Sequence, residues 1–246
     1  MIKVKNAIYD STQMPQRSNC KTMTNSASAT SNTTIAIDRL RDLIFSGQLG
    51  AGTDHLESEL AAQLGMSRTP VREALLRLEA QGLLDVRPRK GVRIRSLSLR
   101  DMTEVYEVLT ELESLAAANA AKRGLTETEL APLTTTIEAM EQALANDNRE
   151  KWVTADDAFH VELVRLGDNE RVRRLTEMMS DQVRRARLIT LYLRPSPTKS
   201  NEAHREVLGA IRAGNADQAR DLHRQHRIAA KKMIISLLDR HHLSSL

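Results

Sequence analysis

From Leu99 to about residue 241 the chain reads as helix, broken at Gly124, Asn146-Asp147-Asn148, Gly167-Asp168-Asn169, Pro195-Ser196-Pro197 and Gly214-Asn215. Residues of these types stop helices because they accept left-handed backbone or cannot extend the hydrogen-bond ladder. The stretches between them predict helices over 99–123, 126–146, 149–166, 170–193, 198–213 and 215–241. Loops this short force neighbouring helices to run antiparallel, which suggests a bundle of about six helices.

The preceding segment has a different grammar. Ile35, Ile37, Leu40, Leu43 and Ile44 recur at helical spacing and Gly47 stops them. Gly50 and Gly52 mark a loop, and Leu60, Ala61 and Leu64 form a second short helix closed by Gly65. A third helix, with Ser67 or Thr69 as its cap and Pro70 in its first turn, carries Val71, Ala74, Leu75 and Leu78 to Gly82. Leu84–Val86 and Val92–Ile94 alternate like two short strands, joined by Arg87-Pro88-Arg89-Lys90-Gly91. The predicted architecture is therefore mainly α: a winged helix-turn-helix domain over 34–96 and an all-α antiparallel helical bundle over 99–243, linked through Leu97–Leu99. Residues 1–33, rich in Ser, Thr and Asn, read as a disordered tail.

Charge separates the two halves. Residues 66–95 hold eight basic and three acidic residues, while residues 99–246 hold 22 basic and 23 acidic. A basic cluster on a small domain is the footprint of phosphate contact, although a solvated charged face has the same composition. Only six residues are Phe, Trp or Tyr. Single-strand and RNA binders need aromatic platforms, so duplex DNA is the favoured nucleic acid. No apolar run approaches the roughly 18 residues of a membrane span, and no secretory signal is present. Cys20 is the single cysteine, which suits a reducing compartment, the cytoplasm.

The third helix of a winged helix-turn-helix lies in the major groove with its N-terminal residues at the base edges. Arg68 and Arg72, four residues apart, share one face and can bond guanine bidentately. Ser67 and Thr69 can bond phosphate or base at the helix N-terminus, and Lys90 and Gly91 sit at the wing tip. Leu75, Leu78 and Leu83 read as core.

The run Ser67-Arg68-Thr69-Pro70-Val71-Arg72-Glu73-Ala74-Leu75, followed by Arg77-Leu78-Glu79-Ala80-Gln81-Gly82-Leu83 and Pro88-Arg89-Lys90-Gly91-Val92, resembles the GntR family of bacterial transcriptional regulators. The resemblance implies DNA contacts from Ser67, Arg68, Thr69, Arg72, Lys90 and Gly91, and binding as a homodimer to a palindromic operator. Two positions depart from the family: His55 stands where an apolar residue is usual, and Ser58 where many members place a DNA-contacting arginine.

Asp156 and His160 are four apart on one predicted helix, His204 lies on a later one and His226 on the last. A carboxylate with three imidazoles can ligate a divalent metal. The chain has seven histidines, however, so from spacing alone a set of structural histidines in a metal-free pocket stays open. Asp156-x-x-Phe159-His160, Asn169, Glu202-Ala203-His204 and Ala219 with His226 seven residues on resemble the helical C-terminal (FCD) domain of the FadR subfamily. That resemblance implies a metal at Asp156, His160, His204 and His226, Zn foremost with Ni or Mn as alternatives, and His223 as the rival to His226. The helix count resembles the subgroup with one helix fewer than the acyl-CoA-binding members. The family's effectors are led by small carboxylic acids, but the arginine that meets them in a Tyr-Glu-Val-Arg pattern is replaced here in Tyr106-Glu107-Val108-Leu109.

The implied function is a ligand-responsive DNA-binding regulator, a repressor more often than an activator in this family, and not an enzyme. A metal-dependent hydrolase fused to a DNA-binding head is the rival of another class. Its general base would have to be Asp157 or Glu202, and the sequence lacks a phosphate loop, a nucleophile elbow and HExxH.

Overall fold

The computed structural model describes residues 31–243. The elements run α1 (Asn32–Phe45), β1 (Asp54–His55), α2 (Glu57–Leu64), α3 (Arg68–Ala80), β2 (Leu84–Arg87), β3 (Gly91–Ile94), α4 (Leu99–Lys122), α5 (Glu127–Ala145), α6 (Arg149–Leu166), α7 (Glu170–Ile189), α8 (Thr198–Arg212) and α9 (Ala216–Arg240). The tail expected over 1–33 lies, up to residue 30, outside the described residues. Residues 32 and 33 are helical instead: Ser31 Oγ accepts from Thr34 N–H at 3.2 Å and caps α1, which begins at Asn32.

In the head, α1, α2 and α3 surround a core of Leu40, Ile44, Leu60, Val71, Leu75, Leu78, Leu83, Leu84, Val92 and Ile94. Gly65, at φ +64°, ends α2 and lets the chain turn directly into α3. The sheet is antiparallel in the order β1-β3-β2, with Leu84 opposite Ile94, Val86 opposite Val92 and His55 opposite Val92 from the other side. The sequence predicts two strands here, and β1 is an addition. Its two residues are too few to show alternation, and pairing with β3 alone makes them a strand.

In the bundle, the residues expected to break helices act through two mechanisms. Asp147, Asp168, Gly124 and Gly214 all have positive φ, and Asn148, Asn169 and Asn215 then cap the following helices by accepting backbone N–H bonds. Helix α7 stops at Ile189, short of the predicted 193. Thr190 Oγ1 donates to Ala186 O at 2.8 Å, and the chain turns through Leu191–Leu193 toward Pro195 and Pro197, which cannot continue a helix. Helix α4 packs along α9, α5 against α6, and α8 against α9. Where α6 ends, a Cβ on Gly167 would lie 2.7 Å from Ala116 Cα, so only glycine allows this approach to α4.

Helix α7 carries side-chain contacts between the head and the bundle. Arg41 Nε on α1 bonds Asp181 Oδ2 at 2.8 Å, Gln182 Nε2 donates to Gln81 O at 3.1 Å, and Arg185 Nη1 donates to Arg95 O. The Arg184 guanidinium sits over the Phe45 ring.

Candidate functional site

The N-terminus of α3 is exposed. Ser67 occupies its N-cap position without a capping bond from its hydroxyl, and Arg68, Thr69 and Arg72 project from the first turns into solvent. Behind this surface Leu75, Leu78 and Leu83 are fully buried. Lys90 is exposed at the tip between β2 and β3. Part of the basic cluster is paired within the domain. Arg87 and Arg93 both pair with Asp54 at 3.2 Å, and Arg95 pairs with Asp85 at 2.6 Å. Arg68, Arg72 and Lys90 form no ion pair among the described residues. Gly91 has a structural reason to be glycine: at φ +82°, a Cβ would fall 2.1 Å from His55 O. The departures at His55 and Ser58 are quiet. His55 is half-buried with Nε2 2.7 Å from Thr53 Oγ1, and Ser58 is half-buried on α2.

The second site lies inside the bundle. Helix α6 supplies Asp156 and His160 from one face, α8 supplies His204 and α9 supplies His226. One ligand-type atom from each lies within 4.8 Å of all the others. Trp152 Nε1, donating to Asn201 Oδ1 at 2.8 Å, ties α6 to α8 and holds this spacing. The Phe159 ring packs 4.1 Å from the His204 ring. Several buried polar atoms here have no hydrogen-bond partner: Asp156 Oδ1, both His204 nitrogens and His226 Nε2. Unpaired buried lone pairs are costly, and convergent ones fit a cation. The residues therefore suit a divalent metal by donor type as well as by placement.

A second carboxylate organises the histidines. Glu113, on α4, is buried with Oε2 2.8 Å from His160 Nδ1 and 3.0 Å from His223 Nε2. The His160 contact is close but lacks the alignment of a full hydrogen bond. On the far side of that ring Nε2 lies 3.1 Å from Arg187 Nη2. A guanidinium can only donate, so Nε2 carries the lone pair and the His160 proton sits on Nδ1, toward Glu113. A carboxylate facing the protonated ring nitrogen in this way would orient the imidazole if its other nitrogen held a metal. The arrangement also places His223, the rival ligand, beside Glu113 rather than among the four.

The electrostatics follow from burial and neighbours. Burial alone would raise the Glu113 and Asp156 carboxyls, but Arg227 and His160 beside the first and Arg187 beside the second outweigh it, so both are held below the usual carboxylate range. Burial drives His204 and His226 well below the ordinary imidazole value, and takes His223 down to about 4 against the opposing pull of Glu113. Arg187 is raised by Asp156, which it bonds at 2.7 Å, and by Asp157 at 2.9 Å, despite its burial. Asp157 is thus occupied by Arg187 and, at 3.2 Å, by Arg184, while Glu202 is exposed. Neither is placed as a free general base.

Arg187, Arg194, Arg227 and Glu113 are site residues that spacing arguments did not single out. Two had a visible signal. Glu113 follows Tyr106 and Leu109 on the buried stripe of α4, and Arg227 follows His223 on that of α9. A charge in such a stripe announces a buried partner. Leu109 is buried in the apolar cluster with Met102, Tyr106, Val183 and Ile234.

Two protein-family models match the chain: "Bacterial regulatory proteins, gntR family" over residues 33–94 and "FCD domain" over residues 104–229. The chain belongs to the GntR family, with an FCD domain. An HTH-type transcriptional regulator of Agrobacterium vitis from the ttuE-ttuC' intergenic region is 38% identical over 141 residues, spanning 56% of this chain and 82% of that protein. A Paenarthrobacter nicotinovorans protein named "Probable D-xylose utilization operon transcriptional repressor" is 32% identical, with 76% of this chain and 83% of that one aligned. Among solved structures, Escherichia coli McbR/YncC superposes with a TM-score of 0.69 at 26% identity, covering 87% of this chain and all of its own. This GntR regulator is thus a DNA-binding transcription factor of winged helix-turn-helix and helical FCD architecture, and its relatives are regulators rather than enzymes. No helix among its described residues is long and apolar enough to cross a membrane.

Proposed function

We propose that the chain is a cytoplasmic, ligand-responsive repressor that binds a palindromic operator as a homodimer and senses a carboxylic acid at a metal-containing pocket. Residues 34–96 form the DNA-binding domain in this reading, with Ser67, Arg68, Thr69, Arg72, Lys90 and Gly91 at the interface, and residues 99–243 form the sensing and dimerisation domain. Repression accords with the name of the D-xylose relative. Two-fold symmetry accords with a recognition helix that reads half-sites, and the exposed Leu175 and Met178 on α7 offer apolar surface for a partner copy.

The observation that carries the metal reading is the convergence of Asp156, His160, His204 and His226, with orphaned buried atoms on Asp156, His204 and His226. A bound Zn, Ni or Mn would supply Lewis acidity toward the effector's carboxylate. The protein's own part is to orient His160 through Glu113 and to relay occupancy along α7, which touches the cluster through Arg187 and the head through Asp181, Gln182 and Arg185. An effector shifts the heads only if it binds one arrangement better than the other.

A second reading, a metal-free pocket with structural histidines, draws on Arg187. Its guanidinium already bonds Asp156 Oδ2 and His160 Nε2 and so provides part of the positive charge a metal would bring. Elemental analysis of the purified protein separates the two. The metal reading expects about one divalent ion per chain, lost in His226→Ala and His204→Ala with DNA binding retained. Absence of metal after resupply of Zn, Ni and Mn would leave the histidines structural. In the head, Arg72→Ala is expected to cost about 1–3 kcal/mol at a single base position of the operator. Unchanged operator binding would move recognition away from α3.

A further inference from the structure

Beside the histidine cluster opens a cavity of about 660 Å³. Its charges are lopsided: Arg149, Arg187, Arg194 and Lys199 line it, against the single carboxylate of Asp156. Arg187 is committed to Asp156 and Asp157. Arg194 is not committed in this way. It is buried, its guanidinium lies over the Trp152 ring, and its one hydrogen bond is from Nη2 to the Arg187 backbone carbonyl at 3.2 Å. No carboxylate pairs with it among the described residues. Arg149 Nη1, bonded to the carbonyls of Leu191 and Arg194, holds the segment that carries it. Asp156 acts on Arg194 only at longer range, and its own direct partner is Arg187; a buried guanidinium with no carboxylate in contact, at the wall of a cavity, is suited to take an anion.

A second, independent observation points to the same place. Tyr106 also lines the cavity, is fully buried, and its hydroxyl has no hydrogen-bond partner. Tyr106, Arg187 and Arg194 all line this one cavity. Another part of the wall is of different character: Ala229, Ala230, Met233 and Ile234 of α9 with Leu191 and Pro195 give an apolar face, while Ser196, Thr198, Ser200 and Gln225 are polar. A cavity of this size is in the range for a ligand much larger than a two- or three-carbon acid.

We infer that Arg194 and the Tyr106 hydroxyl together clamp the carboxylate of an effector whose apolar body fills the chamber along α9, making the ligand an amphipathic monocarboxylate rather than a small polar acid. This inference rests on the reading of the bundle as the effector-sensing site and deepens it.

The test is calorimetric titration of the full chain with straight-chain carboxylates of two, four, six, eight and ten carbons and with decanamide, with metal content measured on the same samples. Affinity should rise about three- to fourfold per methylene as apolar surface is buried, and decanamide should bind at least tenfold more weakly than decanoate. Arg194→Met should lose that preference for acid over amide, and Tyr106→Phe, which removes one oxygen and little else, should weaken decanoate about fivefold. Circular dichroism checks that both variants fold. Equal binding of acetate and decanoate, equal binding of acid and amide, no binding by any member of the series, or an unaltered acid preference in both folded variants would overturn the inference. Its failure is separable from failure of the metal reading. Retention of the Arg194-dependent acid preference in metal-free protein would leave the clamp standing and remove the metal, whereas one metal per chain without acid preference would do the reverse.

Discussion

Gly91→Ala puts the account of the wing at risk. Gly91 sits at φ +82°, where a residue with a Cβ is disfavoured by about 1–2 kcal/mol. The added carbon would also lie 2.1 Å from His55 O and 3.0 Å from Leu56 Cα, both backbone atoms that cannot rotate aside. The His55 carbonyl has to retreat by roughly 1 Å to reach ordinary contact. That movement opens the two-residue pairing of β1 with β3, Asp54 opposite Arg93 and His55 opposite Val92. Each ladder bond lost costs about 0.5–1.5 kcal/mol. The sum is about 2–4 kcal/mol, which should lower the Tm by roughly 4–16 °C in a protein of this size. Thermal melts followed by circular dichroism, with operator binding followed by fluorescence anisotropy, read both consequences. Lys90→Ala is the paired control. Lys90 is exposed and forms no ion pair among the described residues, so its removal should leave the Tm unchanged while reducing the salt slope of DNA binding by about one. A Gly91→Ala protein that melts like the parent would refute the argument that backbone approach, rather than DNA contact, dictates glycine there.

Two further predictions concern the histidine cluster. Glu113→Gln removes the charge that faces the protonated Nδ1 of His160, and should weaken metal binding about 10- to 100-fold in a competitive chelator titration; unchanged affinity would mean that Glu113 has no part in orienting the ligand. In chelated protein His204, His223 and His226 all have folded-state values below their unfolded ones, so the unfolded chain binds protons first and stability falls on acidification. The loss should begin near the unfolded imidazole value of about 6.5 and continue down through the value of about 4 at His223. Urea unfolding between pH 4 and 8 measures it, and a stability profile flat across that window would contradict the buried, neutral state of these rings.

Much of the fold was legible because its signals are local. The six helices from α4 to α9 start and stop within a few residues of where Gly, Asn and Pro place them, since capping and left-handed backbone act over three or four residues. The strand β1 was not legible, because two residues carry no period and exist as a strand only through β3. The end of α7 was misplaced by four residues, because Leu191–Leu193 look helical until Thr190 and the two prolines are seen to turn the chain.

The candidate sites divide along the same line. Spacing alone put Arg68 with Arg72 on one helical face and Asp156 with His160 on another, and the structure keeps both pairs together. By itself the sequence determined the helices, the exposed basic start of α3 and the types of ligand available. Only the tertiary structure decided that His204 and His226, on separate helices, meet Asp156 and His160, while His223 turns to Glu113. It also decided that Arg87, Arg93 and Arg95 pair with Asp54 and Asp85, and that Arg187 and Arg194 face the cavity. These are contacts between residues tens of positions apart. Periodicity fixes which face of a helix a side chain occupies, but the partner it finds there is set by how the helices pack, and that is a property of the whole chain.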